Sequence, residues 1–517
     1  MMTNRRAYLR VTTLSAAISG AFLGASASGQ TYNCGTDSSG GLSCTTSAPS
    51  GQPVIFQAGN YTPVPPMSAS SSADITVTVG SSTKAALEVL SIGSNGNSGG
   101  TLTGIDTQGL TVINTGTLTL QSTGGSIVSD GNLYGLFAEM TGGNAASSSN
   151  GDYGGNGGVA GRSQSEFVSV TNHGDVTLDL PNVTVAGGAA VAARSQGGAG
   201  SGTTDDHNPS GAGGQSAGAS VVNTGDIKVN LAGTGRYAGI LATSFGGNAA
   251  DQYNGGANNG GGGGTASVTN SGNIALNWVW ANNSTASSAL YGVLAESKSG
   301  SGGDSTDKGL GNGGAAGIGF AGDLSARVTL QSGGNVTVTQ GGTPPASGAG
   351  VAAIIQAGSG GNGLADEDDT LGGNGGNAGS INGSQVPLQI NVTDASVSTV
   401  GSQLPALLVS ARGGAGGGNF NSGSYHDRNG GLGGQAGDAG VSVTTASAPI
   451  TLSTTGDQAS GIQTSQIGGA GGAGGSYGGD ALGIGDSNAG NGGSGGNVGS
   501  LTVKLAGSKA LPITINT

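Results

Sequence analysis

The sequence predicts an all-β solenoid, a right-handed parallel β-helix with about seven Gly-rich loop insertions, and three observations lead to it. The chain has 112 Gly in 517 residues but only 4% aromatic and 8% charged residues, too little bulk for an ordinary compact core. β-Branched runs such as Ile75-Thr76-Val77-Thr78-Val79 recur throughout, which favours strands over disorder. A unit of about 54 residues repeats seven times: a short apolar strand, a Gly-rich segment, then a β-rich stretch. With 13 Pro and no Gly-X-Y register, collagen is not an alternative.

Residues 1–27 read as a signal peptide: Arg5, Arg6 and Arg10, a mildly apolar stretch from Val11 to Leu23, then Ala25-Ser26-Ala27 before the cut. That stretch is short for a bilayer and is diluted by Thr12, Thr13, Ser15 and Ser19. Asn4 to Arg10 also fits a twin-arginine export signal. Residues 28–62 form an N-terminal cap holding the only two cysteines, Cys34 and Cys44, which export to an oxidising compartment should join as a disulfide. Loop-poor rungs, about four of them, fill 63–133, and the repeats with Gly-rich insertions fill 134–517.

The apolar strand recurs as Leu136–Met140, Val191–Ser195, Ile240–Ser244, Val293–Ser297, Ala353–Ala357, Leu407–Ala411 and, weakest, Ile462–Ser465. Its apolar residues are consecutive rather than alternating, so both faces should be covered. The outward column is Phe137, Ala192, Leu241, Leu294, Ile354, Leu408 and Ile462. Segments such as Gly154-Gly155-Asn156-Gly157-Gly158 are the only material present in every repeat to lie on it. They are expected to fold back as a glycine-walled layer paired backbone to backbone, the alternative being free loops. A second signature follows the loop: Val170-Thr171-Asn172-His173-Gly174, Val222-Asn223-Thr224-Gly225 and Thr269-Asn270-Ser271-Gly272, with an earlier copy at Asn114-Thr115-Gly116. Asn-x-Gly supplies residues that tolerate positive φ at a corner. About 29 residues remain per repeat without the loop, enough for three short strands and their corners.

Net charge is −13, with no Lys/Arg cluster beyond the N-terminus, so nucleic acid is not expected as a partner. The three histidines, His173, His207 and His426, sit in no Ser/His/Asp, His-Glu-x-x-His or Cys/His arrangement, so nucleophilic and zinc chemistry lack equipment. A carbohydrate-active β-helix lyase or hydrolase would need paired carboxylates, or a carboxylate with Arg or Lys, on one β-face. No compact Asp/Arg or Asp/Asp set falls within a predicted strand. The expectation is therefore a non-catalytic protein without a cofactor.

The tips of the Gly-rich segments gather the polar and bulky residues: Asp152 and Tyr153, Asp206 and His207, Asp251 and Tyr253, Asp366, Asp368 and Asp369, Tyr425 and Asp427. In register they would form an acidic strip with aromatic interruptions, a ligand-contact surface or a weak Ca²⁺ strip. Charge at loop tips also serves solubility and blocks edge-to-edge association.

A signal peptide, an N-terminal Cys pair and repeated Asn-x-Gly strands punctuated by Gly-Gly segments resemble the passenger of an autotransporter, a type V secreted protein. The resemblance is one of pattern and covers nearly the whole chain. It implies a β-helix acting in adhesion or autoaggregation, or as a toxin, at the outer membrane surface or outside the cell. It also implies a translocator barrel as partner. Because Leu511 to Thr517 reads as part of a strand, that barrel or a separate transporter would be supplied from beyond this sequence. The ligand class is left open by the resemblance. A Gly-rich structural surface or ice-binding protein is the third possibility, weakened because Thr76-Val77-Thr78 and Thr337-Val338-Thr339 do not share a repeat position.

Overall fold

A computed structural model describes residues 30–517 except 32–33, 37–39, 48–49, 59–60, 99–101, 123–126, 129–130, 148–153, 162, 164–165, 203–209, 252–256, 282–287, 306–314, 318–323, 343–347, 366–386, 422–428, 474–490 and 492. Three long sheets account for almost all of the described strands, and their consecutive strands pair in parallel except at the N-terminal end of the second sheet. The chain visits them in rotation. A turn of the solenoid runs from a first-sheet strand such as Asn132–Thr141, to a second-sheet strand, Val168–Asn172, to a third-sheet strand, Val176–Val185, and back to the first at Gly187–Gln196. The fold is a parallel β-helix. Ten strands stack in the first sheet, three of them before Asn132–Thr141, so at ~4.8 Å per rung the stack is about 45 Å long.

The inner faces alternate as a strand with one buried side must. In Ile274–Trp280, the residues Ile274, Leu276, Trp278 and Trp280 point inward and the intervening ones are exposed. Inward columns of Val, Leu, Ile and Ala merge into one continuous core along the rod, and Tyr237 packs against Trp278 at 4.8 Å within it. At the N-terminal end, Gly35–Thr36 pairs antiparallel with Leu42–Ser43, and Cys34 and Cys44 are joined by a disulfide, their Cα atoms 4.3 Å apart. Such a short closed loop contributes about 2–3 kcal/mol. Because a solenoid's stability is close to a nearest-neighbour sum, reduction should deprotect the amides of residues 42–57 in hydrogen exchange and leave those beyond 85 unchanged. Equal loss along the rod would contradict local coupling.

The corner after the second sheet differs from its sequence reading. Gly116, Gly174, Gly225 and Gly272 are not among the positive-φ residues. Glycine is needed there because a Cβ would meet a backbone oxygen of the preceding rung: Ala73 O at 1.9 Å, Gly116 O at 1.9 Å, Gly174 O at 2.1 Å and Gly225 O at 2.0 Å, respectively. The asparagine two residues earlier is fully buried and bonded in a ladder. Asn114 Nδ2 donates to Asn172 Oδ1 at 2.8 Å, Asn172 to Asn223 at 2.7 Å, and Asn223 to Asn270 at 2.8 Å. Each amide's other hydrogen goes to the glycine carbonyl two residues on, at 2.7 Å. The ladder ends where Leu330 pairs with Asn270, and there the corner becomes Ser332-Gly333-Gly334, with Gly333 at φ 90°: this copy does use the left-handed conformation.

Further along, Asp394 (φ 51°) caps the corner of the next rung. Its carboxylate accepts from the N–H groups of Ala446, Ser447 and Ala448 and from the Ser447 hydroxyl at 2.6 Å. The Ser447 hydroxyl first, and then these N–H groups, hold the carboxyl well below the usual carboxylate range. A depressed folded pKa stabilises above the unfolded value of about 3.9 and that stabilisation is lost as pH falls toward the folded value. Amide protection over 388–461 should therefore weaken as pH is lowered from about 4, and Asp394→Asn should flatten that dependence. An unchanged pH profile in the variant would remove the cap from the account.

The Gly-rich segments are ordered where they are described, and they form the expected wall. Outgoing segments bond to the next rung's outgoing segment at every third residue: Gly142 N to Gln196 O and Ala145 N to Ala199 O, then Gly197 N to Phe245 O and Gly200 N to Asn248 O. Returning segments do the same, Gly157 N to Ala212 O and Ala160 N to Gln215 O. The neighbouring residue of each triplet crosses between the layers. A continuous chain of such bonds runs from Gly317 N to Gly300 O, Gly300 to Gly261, Gly261 to Gly247, Gly247 to Gly214, Gly214 to Gly198, Gly198 to Gly158 and Gly158 to Gly143, each 2.7 to 3.0 Å. The three-residue period and the absence of bonds within a segment are those of polyproline II helices. Two of three positions face the neighbouring segments, and at many of them only glycine fits, although Ala145 and Ala160 occupy such positions toward the ends of the segments. A Cβ on Gly142 would lie 1.9 Å from Gly158 O, and one on Gly143 would lie 2.0 Å from Ser94 O. The third position faces out and carries Asn144, Ala199, Asn248 or Ser301.

Two details of the expected outward column are corrected. The wall leaves the C-terminal ends of the first-sheet strands and returns to the second sheet, so its glycines face one another's backbones. The outward column instead packs within its own cluster, together with Leu90, Tyr134 and Tyr291. Its register also shifts: Phe137, Ala192, Leu241 and Leu294 align with Ala352, Leu408 and Gln463. Ile354 lies two residues on, still facing out beside Glu296. Ile462 pairs with Leu407, an inward residue, because a slip of one residue turns a side chain to the opposite face.

Candidate functional site

Of the wall-tip residues singled out in the sequence, Asp251 is described; Asp152, Tyr153, Asp206, His207, Tyr253, Asp366, Asp368, Asp369, Tyr425 and Asp427 lie outside the described residues. Asp251 is not waiting for a ligand with both oxygens: its Oδ1 accepts from the backbone N–H of Asp304 at 2.9 Å. Asp304 Oδ1 accepts in turn from Asn362 N at 2.7 Å, and Asn362 Oδ1 from Gly418 N at 2.8 Å. The same staple recurs on the wall's outer positions, from Asn95 to Asn144 N, from Asn144 to Ala199 N and from Asn248 to Ser301 N. At the corners Asp175 binds Asp226 N and Asp226 binds Asn273 N. A short Asx side chain reaches the next rung's N–H because the rungs are one strand spacing apart. These acids hold rungs together. Among the described residues there is no group of three or more His, Cys, Asp or Glu side chains placed to hold a metal ion.

Chemistry-bearing side chains do converge on the outer face of the first sheet, where the sequence reading placed no acid/base set. Glu139 and Arg194 lie 55 positions apart but are direct register partners on adjacent rungs, and Arg194 Nε is 3.6 Å from Glu139 Oε1. One rung earlier, Lys84 Nζ is 2.6 Å from Glu88 Oε1 and lies over the Phe137 ring at 5.0 Å. Tyr134 and Phe137 stack at 4.3 Å with 15° between their planes, side by side because residues three apart straddle the local irregularity at Gly135. The glycine there leaves space for the Val176 side chain, 2.5 Å from where its Cβ would be. Burial pushes the Tyr134 hydroxyl up, partly countered by Arg194, so it stays a neutral donor at ordinary pH.

Lys84, Tyr134, Phe137, Glu139 and Arg194, with Ser81, Ser82, Thr83, Gly131 and Asn132, line a cleft of about 340 Å³, within the ~300–1,000 Å³ range of small-ligand sites. Farther along the same face Arg236 binds Glu296 at 2.6 Å and lies over the Tyr291 ring at 5.5 Å. Burial disfavours the Arg236 charge, but the Glu296 carboxylate outweighs it and the pKa is raised. The face thus repeats one device, a cation clamped between a carboxylate and an aromatic ring. The fold and this cleft define a parallel β-helix with a polyglycine wall and a polar-aromatic patch on its first sheet. Protein-family models, curated proteins and solved structures offer no match to the chain.

Proposed function

We propose that the chain is a non-catalytic rod, exported and presented at the bacterial outer membrane surface or released outside the cell, where it serves adhesion or autoaggregation. The observation that supports this most is where the polar side chains go. Along the described wall and corners, Asn and Asp oxygens are engaged by the next rung's N–H groups, and the wall adds a second hydrogen-bonded layer beside the solenoid. Such an architecture favours length and stiffness, which suit the display of a surface at a distance. A translocator barrel or a separate transporter is the partner such a rod requires, and the disulfide-bonded cap fits an oxidising compartment.

The test compares cells that produce the protein with cells lacking the gene. Protease shaving should remove it from intact cells, and producers should settle faster or hold better to a surface. Equal settling and adhesion, with no surface-accessible protein, would overturn the reading. A carbohydrate-active enzyme is the second reading, favoured by Glu139 and Arg194 together at the cleft. It predicts new reducing ends or unsaturated products from polysaccharides incubated with the purified chain.

A further inference from the structure

We infer that the cleft formed by Lys84, Asn132, Tyr134, Phe137, Glu139 and Arg194 binds a neutral saccharide; the inference rests on the surface-rod reading and names the chemical class of ligand that the rod would hold. Its charges are paired: Arg194 faces Glu139 in the lining, and Lys84 is bridged to Glu88, which sits behind the lining. An anionic ligand would meet Glu139 and compete with Glu88 for Lys84, and a cationic one would meet Lys84 and Arg194, with like charges juxtaposed in either case. A polyhydroxylated neutral ligand avoids both conflicts, since each hydroxyl can donate to a carboxylate and accept from a guanidinium or amide.

Three further observations fit that chemistry. Arg194 Nε has no hydrogen-bond partner and lies 3.6 Å from Glu139, while its Nη2 donates to Gln196 Oε1, so the guanidinium is only partly engaged. Charge-bearing atoms nonetheless remain reachable, because the side chains of Lys84 and Arg194 are 49% and 36% exposed. The stacked Tyr134 and Phe137 rings, mostly buried, bring apolar edges to the cleft lining, against which sugar C–H groups can pack. The cleft is built on strands of adjacent rungs, and its ion pairs are partly fixed before any ligand arrives, which limits the entropy lost on binding.

The purified full chain should be titrated by calorimetry and saturation-transfer NMR with neutral hexasaccharides (malto-, cello-, manno- and galacto-series) and with hexagalacturonate as the acidic counterpart. At least one neutral series is expected to bind, and hexagalacturonate at least tenfold more weakly. Glu139→Gln and Arg194→Met should each weaken the neutral ligand at least tenfold. Lys84→Ala, at the most exposed of the charged side chains, should weaken it with amide exchange of the rod unchanged, which covers the case in which a strand variant folds poorly. Binding by none of the neutral series, tighter binding of the acidic oligosaccharide, or unchanged affinity in Lys84→Ala and in the folded strand variants overturns the inference. Adhesion and binding by the unaltered protein separate the two readings: if it promotes adhesion while the chain binds no neutral hexasaccharide, the cleft assignment fails and the surface rod stands. If the hexasaccharide binds and the unaltered protein promotes no adhesion, the surface-rod reading fails.

Discussion

Gly214→Ala is expected to open the glycine wall locally while the β-helix beside it stays folded. A Cβ on Gly214 would lie 2.0 Å from Gly158 O and 2.8 Å from Gly158 C, backbone atoms that no rotamer change can move aside. Gly214 also sits mid-chain in the cross-layer bonds, donating to Gly198 O and accepting from Gly247 N, both at 2.8 Å. Overpacking of this kind costs about 1–3 kcal/mol, and more where the obstacle is rigid. Hydrogen exchange of the full chain should then show faster exchange at Gly198, Gly214, Gly247 and Gly261, with the amides of Val221 and Ile240 little changed. Ala212→Ser, at the outward third position of the same segment, should change stability by less than about 0.5 kcal/mol. If both substitutions are equally silent, the wall is not the close-packed layer described above.

Asn223→Ala should, with Asn172→Ala, be among the most destabilising single changes in the second sheet. It removes the donor to Asn270 Oδ1, the donor to Gly225 O and the acceptor of the Asn172 amide, all in a column with no exposed surface. Each buried group left without a partner costs about 1–3 kcal/mol, so a loss of about 3–5 kcal/mol is expected by denaturant unfolding. The change is deliberately asymmetric in its surroundings: Asn114, at the ladder's end, already has an unpartnered Oδ1, so Asn114→Ala breaks two bonds rather than three. It should cost correspondingly less. Equal losses at 114 and 223 would mean that the ladder contributes no more than local corner geometry.

Much of this was present in the sequence in a form that only partly revealed its meaning. The Asn-x-Gly corners were visible at Asn114, Asn172, Asn223 and Asn270, but a motif shows two residues and not their neighbours in the adjacent rung. The motif alone suggests a conformational need for glycine there, whereas the obstacle is the carbonyl of the preceding turn. A three-residue pattern was also on display, in Gly413-Gly414-Ala415-Gly416-Gly417-Gly418 and Gly430-Gly431-Leu432-Gly433-Gly434-Gln435. Because no chain-long Gly-X-Y register exists, its local meaning, two inward residues and one outward residue per polyproline II turn, becomes visible only when neighbouring segments are stacked.

The cleft had no signal of this kind. Lys84, Glu88, Glu139 and Arg194 belong to three successive first-sheet strands or the turn before one, and nothing in their spacing along the chain links them. What joins them is the register that puts Glu139 opposite Arg194 and Phe137 opposite Glu88, and register is a cooperative property of the stack.

By itself, then, the sequence determined the rotation of three strands per turn, the place of one glycine insertion in each repeat and the pairing partner of Cys34. Apolar periodicity, composition and the count of two cysteines carry that information locally. The tertiary structure alone decided where the wall goes, which face Ile462 occupies and which charges meet on the first sheet. Those depend on offsets of one or two residues between rungs about fifty residues apart, and a strand's two faces exchange with every single step of that offset.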